Sequence, residues 1–155
     1  MVSHGRTAFG RWMLFWLGGP VLGVGNGALR EAVYARRLGE LRAHQLSTLT
    51  LVALLGGYVA ALERRWPIAR ASDAALVGAA WAAMTAEFEL AFGHYVAHAP
   101  WSQLLRDYDL RKGRLWSLVL CTATLAPAAA RAVRVRRTSH GGRPDRAGRQ
   151  RPGAR

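Results

Sequence analysis

Cysteine, lysine and acidic residues are scarce in this chain of 155 residues. The single cysteine, Cys121, excludes an internal disulfide and a thiolate metal cluster, and it lies in an apolar run where a small core residue is expected. Nine acidic residues stand against 22 basic ones, nearly all arginine, so the net charge is +13. Because alanine and glycine are also abundant, the arginine content fits a GC-rich genome better than selection for phosphate contacts.

Motifs for catalysis are also missing. The sequence contains no glycine-rich phosphate loop, no nucleophile elbow and no His-Glu-x-x-His pattern. Ser47, Ser102 and Ser117 lack any spacing that would place a general base beside them. A protein that is not an enzyme is therefore favoured, and no cofactor is expected other than a divalent metal that two histidines could hold.

Long apolar runs, in contrast, make up most of the chain. Hydrophobic residues amount to 51%, and they are segregated from the charged ones. Four segments approach the length of about 20 residues that crosses a hydrocarbon core of about 30 Å, and too little polar sequence remains to cover them in water. The pattern predicts an all-α membrane protein, a bundle of four transmembrane helices over residues 1–137. The segments are Trp12–Leu29, Leu46–Leu62, Ala74–Phe92 and Leu115–Ala130.

The first segment has a second interpretation as a cleaved secretory signal. Arg6 and Arg11 precede it, and glycines such as Gly25 are small enough for a cleavage site. Pro20 in the middle of the segment and the amphipathic continuation Ala28–Leu46 favour a membrane helix instead. In that helix we expect the proline to cause a kink.

Short amphipathic surface helices are predicted in both outer connections. From Pro100 to Lys112, apolar residues recur at helical spacing, and Gly113 suits a helix end. The first connection, residues 30–45, shows a similar pattern. Both helices are expected to lie on the membrane surface. Tryptophans at the segment ends, Trp12 and Trp66 on one side and Trp101 and Trp116 on the other, are typical of an aromatic belt.

Two further features concern packing and partners. Gly19, Gly23 and Gly27 repeat every four residues, a stripe that lets helix backbones approach closely. The arginine-rich tail, residues 138–155, has no large apolar side chain to bury, so we expect it to be disordered in the cytoplasm. Its arginines are expected to bind anionic lipids of the bilayer, and no specific nucleic-acid binding is expected because no aromatic residue lies among them. A homo-oligomer or a second membrane protein remains open as a partner.

One block of the sequence resembles a known group of proteins. The block reads Phe92-Gly93-His94-Tyr95-Val96, Trp101-Ser102, Leu104-Leu105, Asp107-Tyr108 and Gly113-Arg114-Leu115-Trp116, with Asn26-Gly27 and Arg30-Glu31 upstream. It resembles an uncharacterised family of small bacterial integral membrane proteins with four transmembrane helices. The resemblance covers roughly residues 10–130 and implies a bacterial cytoplasmic membrane, without implying an activity.

Glu87 and Glu89 are the acidic residues deepest in an apolar segment. A charge held in hydrocarbon costs several kcal/mol, so we expect at least one of them to pair with Arg30 or Arg114. Such a pair either fixes helix register or belongs to a route for protons or cations. A component of transport, of a channel or of membrane assembly is the leading function. The predicted intramembrane polar cluster comprises Asn26, Arg30, Glu31, Glu87, Glu89, Tyr95 and Arg114.

His94 and His98 support an alternative function. Four residues apart, they would share one face of a continuous helix, which is the spacing that two imidazoles need to hold one metal ion. A further ligand would have to come from elsewhere, from His44 or Asp107. The alternative is a membrane-embedded metal-binding protein or enzyme, and the simpler interpretation is two solvated histidines at the membrane interface.

The distribution of basic residues predicts the orientation in the membrane. With the N-terminus in the cytoplasm, fourteen basic residues fall on the inner side and eight on the outer side. The positive-inside rule therefore places both termini of this multi-pass protein in the cytoplasm.

Reporter fusions test this orientation. Fusions after Ser139 and within Arg64–Ser72 are expected to report the cytoplasm, and fusions near Gly39 and Gln103 the periplasmic side, because basic segments stay on the inner side. A periplasmic signal from the tail would contradict the orientation. A mature N-terminus near Ala28, detected by mass spectrometry, would show instead that the first segment is a cleaved signal.

Overall fold

The computed structural model describes the backbone of residues 3–106 and 115–141, with the side chains of residues 9–105 and 115–139. Within these ranges the chain forms helices joined by short turns, and no strand. Two helices continue into one wide turn of π-helix. In chain order the elements are α1 (Ser3–Phe15), α2 (Gly18–Leu29), a π turn (Arg30–Tyr34), α3 (Ala35–Leu38), α4 (Glu40–Arg65), α5 (Ala71–Ala91), a second π turn (Phe92–Val96), α6 (Trp101–Arg106) and α7 (Ser117–Gly141).

Among the described residues, three helices are long and apolar enough to cross a membrane: α4, α5 with its π turn, and α7 as far as Ser139. At 1.5 Å per residue, the 26 residues of α4 extend about 39 Å, more than a hydrocarbon core of about 30 Å. At most a third of the apolar stretch in each helix is buried inside the protein. The outward faces carry large side chains such as Leu54, Leu76 and Leu125. The helical fold with membrane-spanning segments is thus confirmed for three segments of the predicted four.

The first apolar segment forms two helices, and our prediction of one kinked helix is wrong. α1 ends at Phe15 and α2 begins at Gly18. Pro20 has no N–H to donate to the carbonyl of Trp16, which accepts instead from the Gly19 N–H at 2.8 Å. The proline therefore lies in the first turn of α2, where a missing N–H is tolerated. α1 is about 20 Å long, too short to cross the hydrocarbon core alone. α2 continues through the π turn and α3 to Leu38, but this continuous stretch is not among the helices of the described ranges that are long and apolar enough to cross a membrane.

The first outer connection forms a short helical stretch that continues directly from α2, and its position on the membrane surface stays a prediction. After the π turn, α3 has only four residues and ends at Gly39, whose φ of 76° lies in the left-handed region that glycine adopts without strain. α4 then begins at Glu40, well before the apolar segment that we predicted to start at Leu46. The polar residues of the connection form the first turns of a candidate membrane-spanning helix.

The second connection and α7 also differ in extent from the prediction. α6 coincides with the first half of the predicted helix Pro100–Lys112, whereas residues 107–114 lie outside the described residues. α7 runs to Gly141, past the end predicted at Ala130 and past the start of the predicted tail. Ser139 donates a hydrogen bond to Val135 O at 2.9 Å in this last part. The remainder of the tail, residues 142–155, is not among the described residues.

Hydrogen bonds hold α1 against the long helices. Tyr58 of α4 donates to Phe15 O at 2.8 Å, and Trp81 Nε1 of α5 donates to Trp12 O at 3.0 Å. The Trp12 side chain is 1% exposed, and its ring lies 5.8 Å from that of Trp81. Trp12 is therefore a core residue, and our prediction that it belongs to an aromatic belt at the membrane interface is wrong.

The closest approach between two long helices occurs at Gly78. α7 packs against both α4 and α5, and a Cβ atom added at Gly78 of α5 would overlap the carbonyl oxygen of Thr124 in α7. Only glycine permits the two backbones to lie this close.

The predicted glycine stripe on α2 makes no comparable approach. Cβ atoms added at Gly19 and Gly23 would lie 4.0 Å from side chains of α4, which is ordinary van der Waals contact. One added at Gly27 would meet open space. The stripe does face α4, but it is not needed for close packing there.

A buried ion pair closes the end of the bundle where α4 leads into α5. Glu63, whose side chain is 2% exposed, accepts from Arg134 Nε at 2.8 Å and from the Ile68 N–H at 3.0 Å. Arg134 Nη2 also donates to Ile68 O at 3.0 Å, and Arg131 Nη2 donates to Ala69 O at 2.9 Å. One carboxylate and two guanidinium groups thus fasten α4, the α4–α5 loop and α7 together. We call these residues the Glu63 clamp.

Replacing Glu63 tests the clamp. Glu63→Ala is expected to lower the free energy of unfolding by about 1–3 kcal/mol, because it leaves the buried Ile68 N–H without an acceptor and removes the bond that joins α4 to Arg134. Thermal unfolding in detergent measures the change. Arg64→Ala, at the adjacent exposed position, is the matched control and is expected to change little. Equal stability of both variants would show that the clamp does not stabilise the fold.

Two glycine substitutions compare the close approach with the stripe. Gly78→Ala is expected to destabilise the protein by about 1–3 kcal/mol, because its methyl group overlaps the backbone of α7. Gly27→Ala adds the same methyl group in open space and is expected to leave the melting temperature unchanged or slightly raised. The reverse order of the two melting temperatures would contradict the packing described above.

Candidate functional site

A cavity of about 330 Å³, lined by apolar residues and several polar side chains, lies at the end of the bundle opposite the Glu63 clamp. α2, α4 and the end of α5 form most of its wall, and residues of α6 and Trp116 complete it. It is open on one side, and we call it the end cavity. Its polar side chains include Asn26, Arg30, His44, Ser47, Glu89 and Gln103.

Asn26 is the most deeply buried of the predicted polar residues in this wall, at 7% exposure. Its Nδ2 donates to Ser47 O at 2.8 Å and to Ser47 Oγ at 2.7 Å, which ties α2 to α4. Its Oδ1 is buried and accepts no hydrogen bond from any described residue. An unpaired buried acceptor costs about 1–3 kcal/mol, and this cost stands against the two hydrogen bonds that Asn26 donates.

Arg30 is held at the rim between two side chains. Its Nε and Nη2 donate to Glu31 Oε1 at 3.1 and 2.8 Å, and its Nη1 donates to His44 Nδ1 at 3.2 Å. Because a guanidinium group only donates, Nδ1 is the acceptor, and the neutral imidazole carries its hydrogen on Nε2. Within the described residues Arg30 therefore pairs with Glu31 rather than with Glu87 or Glu89. The other predicted partner, Arg114, lies outside those residues.

Glu89 belongs to the walls of two cavities. Besides the end cavity, it lines a smaller space of about 30 Å³ further inside the bundle, which we call the inner cavity. That volume holds about one water molecule. The inner cavity also has a polar contact in its wall, where Trp16 Nε1 donates to Thr85 Oγ1 at 3.1 Å. Glu89 thus lies where the open end cavity meets the water-sized inner cavity.

Closer to the Glu63 clamp the bundle is densely packed. Trp12, Val59 and Val77 are at most 1% exposed and belong to one apolar cluster with Trp81, which lines the inner cavity. The apolar cluster therefore fills the described part of the bundle between the inner cavity and the Glu63 clamp.

The structure brings only part of the predicted polar cluster together. Asn26, Arg30 and Glu89 line the end cavity, and Glu31 supports Arg30 from an exposed position. Glu87 lies on the exposed face of α5, and Tyr95 is 71% exposed and outside the cavity wall.

The glycine stripe has a different place from the one predicted. Gly23 and Gly27 lie in the wall of the end cavity, where their missing side chains leave space. Gly23 and Gly27, which we expected to bring helix backbones together, thus border the end cavity.

The two histidines do not share a helix face. The π turn that holds His94 ends at Val96, and His98 adopts a left-handed conformation with φ of 54°. His94 Nδ1 lies 3.2 Å from Ala99 O, and its ring stacks on Trp101 at 4.3 Å. No group of three or more histidine, cysteine, aspartate or glutamate side chains in the described ranges could hold a metal ion. The helical metal site that we considered therefore lacks its geometric basis.

Several residues of the two ends were missed by sequence reasoning. Glu63 directly follows the apolar segment that we ended at Leu62. An acidic residue so close to an apolar segment could have indicated a buried ion pair. Its partner Arg134 was counted among the basic residues for orientation only. Ser47 and Gln103 gave no local signal, because their place in the cavity depends on contacts with α2 and α5.

No protein-family model, no curated protein and no solved structure matches this chain. The resemblance of the Phe92–Trp116 block to small bacterial membrane proteins therefore stays a prediction, and the function has to be inferred from the cavities and their residues.

Proposed function

We propose that this protein is a non-enzymatic transport component of a bacterial cytoplasmic membrane, which moves protons, alone or together with a small polar solute, through the end cavity. The observation that carries the proposal is the position of Glu89 in the walls of both cavities. Intramembrane carboxylates beside water-accessible space act as proton relays in membrane transport proteins.

The other groups in the end cavity support a polar solute. Asn26 and Glu89 place polar side chains in the wall, which favours a solute that forms hydrogen bonds. Arg30, neutralised by Glu31, supplies N–H groups for an acceptor on the same solute. Apolar walls from Leu51 and Phe88 limit the entry of bulk water.

The proposal includes a fourth membrane crossing, made by α1 and α2 together. α1 touches the clamp end, where Trp12 Nε1 donates to Trp66 O at 3.2 Å, and α2 touches the opposite end at Ser47. The nineteen residues of α4 from Ser47 to Arg65 cover about 27 Å, close to the thickness of a hydrocarbon core. Broken helices of this kind often border solute sites in transporters. Both termini then lie in the cytoplasm, as the basic residues predict.

Proton flux into liposomes tests the proposal. Purified protein, reconstituted in liposomes that contain a trapped pH-sensitive dye, is expected to conduct protons when a potassium diffusion potential is applied. Glu89→Gln keeps the size of the side chain but cannot release a proton, so the flux is expected to fall to that of protein-free liposomes.

Glu87→Gln is the matched control, because Glu87 lies on the same helix on an exposed face. It is expected to conduct like the parent. Parent protein that conducts no better than protein-free liposomes would show the transport proposal to be wrong, and an equal loss in both variants would remove the role assigned to Glu89.

A further inference from the structure

We propose that a groove between α4 and α7, beside the Glu63 clamp, binds the headgroup phosphate of one anionic phospholipid from the adjoining membrane leaflet. The groove has a volume of about 310 Å³ and is open on one side. It lies at the opposite end from the end cavity, so the proposal does not depend on transport. Its wall is formed by Ala60, Glu63, Arg64, Ala130, Val133, Arg134, Arg137 and Thr138.

The groove carries an excess of positive charge. Three arginines line it against a single carboxylate, that of Glu63, which leaves two positive charges uncompensated. Arg64 and Arg137 are exposed, and neither forms a side-chain hydrogen bond or ion pair within the described residues. They are therefore available to an anion.

Arg134 gives the site a fixed point. Its guanidinium group is held by Glu63 and by Ile68 O, so the side chain cannot swing into solvent as a surface arginine does. These two bonds use one N–H of Nε and one of Nη2, and three of the five N–H groups of the guanidinium remain. A phosphate that accepts from them meets a preorganised donor.

The apolar part of the groove distinguishes a lipid from a free phosphate. Along α4, Ala60 comes before Arg64, and along α7, Ala130 and Val133 come before Arg137. Both helices run toward the clamp end, so the small apolar residues lie nearer the middle of the membrane-spanning helices and the arginines nearer their ends. This order matches a phospholipid, whose acyl chain lies along the apolar residues while its phosphate reaches the arginines.

Native mass spectrometry of the purified protein in detergent, titrated with phosphatidylglycerol and with phosphatidylcholine, tests the site. One phosphatidylglycerol molecule is expected to bind more tightly than phosphatidylcholine. The Arg64→Gln, Arg137→Gln double variant is expected to weaken that binding by about 25-fold, since each arginine near an anionic headgroup contributes about fivefold. Its melting temperature should match that of the parent.

The matched control is the Arg36→Gln, Arg37→Gln double variant. It removes the same charge from two exposed arginines at the opposite end and should leave binding unchanged. An equal loss in the control, or equal binding of both lipids by the parent, would overturn the site.

A variant that keeps every charge distinguishes a phospholipid from a free phosphate as the ligand of the groove. Val133→Trp fills the apolar part of the groove and is expected to weaken phosphatidylglycerol binding while the three arginines remain. Unchanged binding in this variant would count against a lipid. Displacement of the bound lipid by millimolar inorganic phosphate would show a phosphate site instead, and the lipid proposal would be wrong.

Discussion

The bond between Glu63 and Arg134 fixes the arrangement on which both ends of the protein depend. A carboxylate that is 2% exposed has to be paired, and here a single residue joins α4 to α7 and to the loop that leads into α5. This sets the register of α7 along α4 at one end. The contact of Gly78 with the Thr124 carbonyl then sets the distance between α5 and α7. The helices α4, α5 and α7 thus form one body, against which α1 and α2 pack.

The outer layer is attached differently, by hydrogen bonds from single side chains and by ordinary van der Waals contacts. Tyr58 and Trp81 hold α1, and Asn26 holds α2 through Ser47. Because the glycines of α2 leave space where side chains would otherwise pack, the end cavity forms between this layer and the three-helix body. The clamp end is closed and basic, and the opposite end is open and polar. The asymmetry follows from where glycine and charged residues occur along the same helices.

Hydrophobic segment length predicted most of the helical architecture, because burial in lipid depends on local composition. It could not predict that Pro20 would split the first segment, since whether a proline kinks or ends a helix depends on its neighbours, here Gly18 and Gly19. Asn26, Arg30 and Glu89 were predicted because polar residues in apolar runs are conspicuous. Ser47 was not, because its role exists only after α2 and α4 have packed.

The two π turns, at Arg30–Tyr34 and Phe92–Val96, flank the end cavity. A π turn amounts to one residue inserted into an α-helix, and it rotates everything beyond it by about 100°. Deletion of one residue within either turn would restore an unbroken α-helix and turn the residues beyond it to a different face. A relative built on unbroken α-helices would be one residue shorter at each π turn. A sequence alignment would therefore need a one-residue gap within each turn, because a gap placed elsewhere would pair residues that occupy different positions in the two structures.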